Sequence, residues 1–160
     1  MTRPLYQNEI YHQLDGHLDA NTHHYKLRVQ FEDTDAGGIV YHAQYLAFAE
    51  RARSAWLRCL GIDQAELLVE DGVGFVVRHI DIDFVEAAAL STVLEITSKV
   101  IKNGGASLRL RQIITNIQDC HIVARLVVDI GFVNMKMTGT ARACRMPKII
   151  RDRLPGTLED

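Results

Sequence analysis

Between Ala43 and Leu60, Tyr45, Phe48, Ala49, Ala52, Trp56 and Cys59 recur at three- and four-residue steps. That is the spacing of one face of a helix. Gln44, Arg51 and Arg58 fall on the opposite side, and Gly61 follows where a helix closes in left-handed backbone. A helix with so wide an apolar face needs a second layer to cover it. The rest of the chain offers that layer. Tyr25 to Phe31 alternates Leu27, Val29 and Phe31 with Lys26, Arg28 and Gln30, as a half-buried strand does. Asp63 to Asp71 reads as a short second helix with Asp63 as its N-cap. Gly74 to Val85 sets Val76, Ile80, Ile82 and Phe84 against Val77, His79, Asp81 and Asp83. Thr92 to Ile101, Ala106 to Ile117 and His121 to Val133 alternate in the same way, and Asn103-Gly104 is the sharpest hairpin signal. One strand, a long helix and an antiparallel meander define an α+β fold with the helix laid on one sheet.

A chain of 160 residues is expected to form one domain and to bury a full core without staples. We read residues 1–22 as an N-terminal arm, residues 23–146 as the domain and residues 147–160 as a tail, with a short helix over Pro147 to Leu154. The net charge of -2 provides no broad basic field for nucleic acid or anionic lipid. Met1 to Gln13 lacks the apolar run of a signal peptide, and no apolar stretch approaches the ~18 residues of a membrane span. Cys59, Cys120 and Cys144 show no metal-ligand spacing and read as reduced thiols of a cytoplasmic protein. No metal or redox cofactor is expected.

The chemistry concentrates between strand and helix. Glu32 to Gly38 is an acidic turn holding Asp35, and Gly37 and Gly38 allow positive φ or a close approach to a ligand. His42 follows where the helix begins. Helix N-termini carry unpaired amides and a favourable dipole for anions. A carboxylate and an imidazole therefore stand beside a ready oxyanion site. Asp33, two residues earlier, is expected to shape the turn or cap the helix. A calcium loop starting at Asp33 is excluded because its twelfth position is Gln44 rather than a bidentate glutamate.

The run Phe31-Glu-Asp-Thr-Asp-Ala-Gly-Gly-Ile-Val-Tyr-His-Ala-Gln-Tyr45, followed by Glu50-Arg-Ala-Arg53 and later by Phe75-Val-Val-Arg-His79, resembles the signature of the hotdog-fold acyl-CoA thioesterases. The likeness is to the 4-hydroxybenzoyl-CoA thioesterase type, within it to the branch encoded with the bacterial Tol-Pal system. It is nearly unbroken from Val29 to Leu60 and looser to about Met146. The resemblance implies an antiparallel sheet wrapped around the central helix. It also implies hydrolysis of an acyl-CoA to acid and CoA, and a homo-oligomer, dimer or tetramer, with sites at the dimer interface. Asp35 would be the catalytic nucleophile or general base, two uses of a carboxylate that the sequence does not separate. His42 would assist, with its amide polarising the thioester carbonyl, while Gly38, Ile39, Val40 and Tyr41 would bind substrate, the last three lining the acyl entrance or the subunit contact. The chain departs from the pattern at Phe31, where members of the branch often carry a tyrosine four residues before the aspartate.

Other candidates carry less. Glu50, on the helix, pairs with Arg53 or Ser54 or serves as a second base. Coenzyme A phosphates want cations at a rim, for which Arg78, Lys102, Arg109, Arg111 and Arg145 are available. Two rival functions stand beside the thioesterase. One is a non-catalytic module that binds acyl-CoA or acyl-carrier protein in lipid metabolism. The other is a hotdog-fold hydratase, which in that resemblance wants its aspartate and histidine five residues apart, whereas here the gap is seven.

Overall fold

The computed structural model describes residues 13–136 and 141–156. All but Gln13 of the Met1 to Gln13 segment read against a signal peptide, and much of the expected arm, lie outside them. The elements run β1 (His17–Asp19), β2 (Thr22–Arg28), a short 3-10 turn (Phe31–Asp33) and the long helix α1 (Gln44–Cys59). Then come α2 (Gln64–Glu66), continued by a π turn (Leu67–Asp71), and β3 (Val73–Phe84), β4 (Val93–Asn103), β5 (Ser107–Asn116) and β6 (Ile122–Asn134). β7 (Arg142–Ala143) and α3 (Lys148–Arg153) close the described chain. The sheet has the order β1-β2-β4-β5-β6-β3, with β7 on β6, and every pairing is antiparallel.

α1 lies against β1, β2 and β4. Its Tyr45, Phe48, Ala49, Ala52 and Trp56 are buried, as the periodicity requires. They meet Leu94 and Ile96 of β4, Leu110 and Ile114 of β5, and Leu126 and Val128 of β6 in one core. Met146, Ile150 and Leu154 join it, so α3 is part of the core. Asp63 caps α2 as expected, its carboxylate accepting from the Ala65 and Glu66 amides. Asn103 and Gly104 open the β4–β5 hairpin, but the left-handed residue is Gly105, at φ 79°. The Gly105 amide donates to the Asn103 side chain at 3.2 Å, and Gly104 N to Ser107 O at 2.8 Å. The loop is thus longer than a two-residue turn.

Two expectations about strands are corrected. β2 stops at Arg28 rather than reaching Phe31, because the chain turns into a 3-10 helix there. In β3 the alternation is broken by a bulge between Val77 and His79. The inserted Arg78 reverses the parity of everything before it. Phe75 packs on Phe132, ring centroids 5.0 Å apart, and Val77 shares a cleft with Trp56. Val76 instead lies with Arg78 over Gly131. The inner row is therefore Phe75, Val77, Ile80, Ile82 and Phe84, a set that a strict period of two cannot give.

Residues 13–19 tie the C-terminal half of α1 to β2. His23 is fully buried, and its Nε2 donates to the Asp15 carbonyl at 2.7 Å. The Asp15 carboxylate pairs with Arg58 at 2.7 Å. His23 Nδ1 is buried without a partner among the described residues. Burial is the main cause that lowers the His23 pKa, with His24 and His17 adding to it. A folded-state pKa below the unfolded value makes the unfolded chain the better proton acceptor. The stabilisation is thus complete above about pH 6.5, the unfolded value, and is lost as the pH falls through the lower folded one. Urea unfolding midpoints should fall between about pH 7 and about pH 5, and less steeply in His23→Gln; equal slopes in the two proteins would refute the assignment.

Candidate active site

The loop between β2 and α1 is built on Asp33. Its carboxylate accepts from the Gln30 amide at 2.8 Å, and its carbonyl accepts from the Tyr41 amide at 2.9 Å. It is buried, with Oδ1 unpartnered among the described residues. The sequence-based role for Asp33, shaping the turn, matches this geometry. The two sides of the loop then run as a minute ladder. Thr34 bridges Val40, and Ile39 bridges Ala89. Asp35 N donates to Ile39 O and Gly38 N to Asp35 O, each at 3.0 Å. Val40 N donates to Ala88 O at 2.8 Å, which fastens the loop to the segment after β3.

At its tip, Asp35 is exposed. Oδ1 accepts from the Gly37 amide at 2.8 Å, which fixes the carboxylate in an Asx turn. Oδ2 meets no protein donor among the described residues. One oxygen is held and the other is offered to solvent, a suitable arrangement for a nucleophile or base. Gly38, at φ 77°, turns the chain back toward α1.

His42 is exposed and precedes the first helical residue, Gln44. Its ring lies 4.6 Å from Tyr41 and 6.3 Å from Phe84, centroid to centroid. No hydrogen bond joins the imidazole to Asp35, so it does not orient that carboxylate. The Gln44 amide donates to Tyr41 O at 2.8 Å, whereas the His42 and Ala43 amides meet no acceptor among the described residues. They are the free donors of the α1 N-terminus. Tyr45 anchors this end: its hydroxyl accepts from the Ala88 amide at 3.2 Å and its ring packs 5.8 Å from Phe84.

Of the other sequence candidates, Gly38, Ile39 and Tyr41 are exposed on the same loop, while Val40 is buried in the core. Phe31 is 81% exposed and makes no polar contribution. Arg78, Lys102 and Arg109 share a cleft on β3, β4 and β5. Asp129 holds Arg109 through two hydrogen bonds, at 2.6 and 2.9 Å, and draws its own carboxyl below the usual range in doing so. Arg78 and Lys102 remain as that cleft's net positive charge. Arg111 lines a different surface, beside Asp81, Asp83 and Arg125. His79, Asp81 and Asp83 are exposed on the edge strand.

Sequence reasoning named Arg53 as a partner for Glu50, and the structure forms that pair, but it overlooked Gln112. Arg53, 4% exposed, donates to Gln112 Oε1 at 2.7 Å and pairs with Glu50. Gln112 is fully buried and gives its amide group to Ala49 O at 3.1 Å and Ser98 Oγ at 2.9 Å. The signal was present in β5, where Gln112 interrupts the inward series Leu108, Leu110, Ile114. A glutamine at a core position implies a polar partner across from it.

Comparisons with known proteins agree with this architecture. The 4-hydroxybenzoyl-CoA thioesterase from Pseudomonas sp. strain CBS-3 superposes with a TM-score of 0.77, at 23% identity over 84% of this chain and 99% of that one. The architecture is thus the hotdog fold, an open antiparallel sheet with a central helix. A family profile described as the thioesterase-like superfamily matches residues 29–154, and the chain belongs to that family. A probable thioesterase from Bartonella henselae is 34% identical, with a TM-score of 0.70 over 79% of this chain and 99% of that one. An acyl-CoA thioesterase of Haemophilus influenzae, YbgC, is 35% identical over 127 residues, 79% of this chain and 90% of its own. The acyl-CoA thioester hydrolase YbgC of Escherichia coli O6:H1 is 40% identical over 102 residues, 64% of this chain and 75% of its own.

A Cβ at Gly38 would meet nothing within 4 Å, so Gly38→Ala tests backbone conformation alone. It should cost about 1 kcal/mol of stability, read as a lower unfolding midpoint in urea. An unchanged midpoint would mean that the loop relaxes out of the left-handed conformation.

Proposed function

We propose that this chain is an acyl-CoA thioesterase, hydrolysing an acyl-CoA to the free acid and CoA, with Asp35 as its catalytic carboxylate. One observation carries the assignment of the site: Asp35 Oδ1 is fixed by the Gly37 amide while Oδ2 is left open at a solvent-exposed turn. The names of the relatives carry the substrate class. The thioester carbonyl oxygen takes its place over the free amides of His42 and Ala43, the expected site for a developing oxyanion. Asp35 then either removes a proton from the attacking water or attacks the carbonyl carbon itself. In the first course a tetrahedral intermediate collapses to the acid and the CoA thiolate. In the second, the tetrahedral adduct of Asp35 expels CoA as its thiolate and becomes an acyl-aspartyl anhydride, which water then cleaves to the free acid and the Asp35 carboxylate. Each well-placed oxyanion donor lowers the barrier by roughly 3 kcal/mol. His42, packed between Tyr41 and Phe84, holds the wall of the mouth and brings its amide into line.

The assembly we propose is a homo-oligomer in which β3 pairs with a second copy. β3 has β6 on one side only. Val77 and Phe84 on it, with nearby Ile39, Tyr41 and Leu46, are exposed large apolar side chains. A two-fold pairing would cover both the edge and this surface. We assign this activity to the cytoplasm and to lipid metabolism; among the described residues no helix is long and apolar enough to cross a membrane.

Asp35→Asn keeps the turn acceptor and removes the base. Its kcat should fall by about a thousandfold or more, with thiol release as the readout and acyl-CoA affinity retained. Full turnover in this variant would sink the assignment. Binding without turnover in the wild-type protein would instead favour the non-catalytic acyl-CoA or acyl-carrier-protein module.

A further inference from the structure

The loop that carries Asp35 meets α1 along two routes. One follows the chain: the Tyr41 amide donates to Asp33 O at 2.9 Å, and Tyr41 O accepts from the Gln44 amide at 2.8 Å. The other crosses space. Asp35 N donates to Ile39 O at 3.0 Å, Ile39 bridges Ala89, and Val40 N donates to Ala88 O at 2.8 Å. The Ala88 amide then donates to the Tyr45 hydroxyl at 3.2 Å. That last bond returns the relay to α1. Tyr45 lies three residues after His42, so it stands on the same helical turn as the free amides of His42 and Ala43.

The segment around Ala88 is pinned on both sides. The Val85 and Glu86 amides donate to Val123 O at 2.9 and 3.1 Å, and Thr92 N donates to Ala89 O at 3.2 Å. Ala88 is 2% exposed and Tyr45 4%. The Tyr45 ring stands edge-on to Phe48 at 6.0 Å and tilted against Phe84 at 5.8 Å, so its hydroxyl is a fixed acceptor. An amide buried without its acceptor carries a desolvation cost that only movement of the backbone can relieve. A loop attached along one side can rotate about that side, and a second attachment removes the rotation. Burial holds the Tyr45 phenol above its ordinary range, while the Ala88 hydrogen bond acts the other way. The group is therefore a neutral hydroxyl at neutral pH.

We propose that Tyr45 is a positioning residue, whose hydroxyl, through Ala88, sets the separation between the Asp35 carboxylate and the free amides of α1. The proposal rests on the acyl-CoA thioesterase reading, in which those groups act on one carbonyl. Tyr45 itself stays clear of the reacting atoms. It keeps attack on the carbonyl carbon and capture of its oxygen in range together.

The test is Tyr45→Phe, which keeps the ring and removes the acceptor, beside Ile150→Val as a control. Ile150 is buried in α3, which Arg153 fastens to Gly61 at the far end of α1. Thiol release is followed on acetyl-, hexanoyl-, dodecanoyl- and benzoyl-CoA over a range of pH, with urea midpoints as the check on folding. In Tyr45→Phe kcat should fall by about ten- to a hundredfold, as for a misplacement of about 1 Å, with KM held within about twofold. The pH profile should keep its shape, because a neutral hydroxyl moves no proton. Ile150→Val should keep its kcat. Hydrogen exchange reads the relay directly: the Val40 amide should exchange faster in Tyr45→Phe than in the wild type. In the wild type, where no variant has to fold, the Val40 and Ala88 amides should exchange through one common opening. Undiminished turnover by Tyr45→Phe would overturn the proposal and leave the thioesterase standing. So would an equal fall in both variants, which would mark general loosening, or a shifted pH profile, which would give the phenol a proton to carry. Separate openings of Val40 and Ala88 in the wild type, or a Val40 amide unchanged in Tyr45→Phe, would also overturn it. No hydrolysis of any substrate by the wild type would remove the thioesterase reading and this proposal with it.

Discussion

Everything in this protein depends on covering the apolar face of α1. Tyr45, Phe48, Ala49, Ala52 and Trp56 are buried, and burial of one large side chain is worth about 2 kcal/mol. Only a sheet that reaches round the helix can supply that cover, so the strands must twist about it. Once the helix is held along its length, its first turn has no freedom to wander. The free amides of His42 and Ala43 end up at a fixed place on the rim. The His42 end of the helix is thus positioned by packing that lies well away from it.

The loop that carries Asp35 is fastened to the same frame by polar contacts. Asp33 closes its base, and Ala88 and Ala89 hold its far side through Val40 and Ile39. The two sources of order are different in kind. The helix terminus is set by nondirectional burial, the turn by hydrogen bonds with directional demands. Their meeting gives a carboxylate with one oxygen restrained and one available.

Much of this was legible in the chain. α1 was expected from Ala43 to Leu60 and runs from Gln44 to Cys59, because its wheel pattern is strong and Gly61 ends it. The four later strands follow their alternation to within a few residues, and Asp33 and Asp63 do what short acids before turns usually do. The misses have physical causes. A bulge adds a residue without any change of composition, so the parity of β3 before Arg78 is invisible to a period of two. Arg53 was read as the partner of Glu50, three residues away, which it is, yet its second partner, Gln112, stands 59 positions away in the chain. Val40, read as part of the entrance, is turned into the core by its pairing with Ala88. Contacts of that kind are made by tertiary structure, and local pattern carries no trace of them.

The bulge at Arg78 has a consequence for association. An unbroken edge strand accepts any other extended chain, and repeated addition leads to fibres. β3 is twelve residues long, and a flat strand of that length would be an open invitation. The register shift between Val77 and His79 interrupts the row of amides and carbonyls and increases the local twist. A generic strand would lose its ladder at that point. In the pairing proposed above, a second copy related by a two-fold axis would carry the same interruption and could be matched to it, so that one inserted residue would sort kin from other strands.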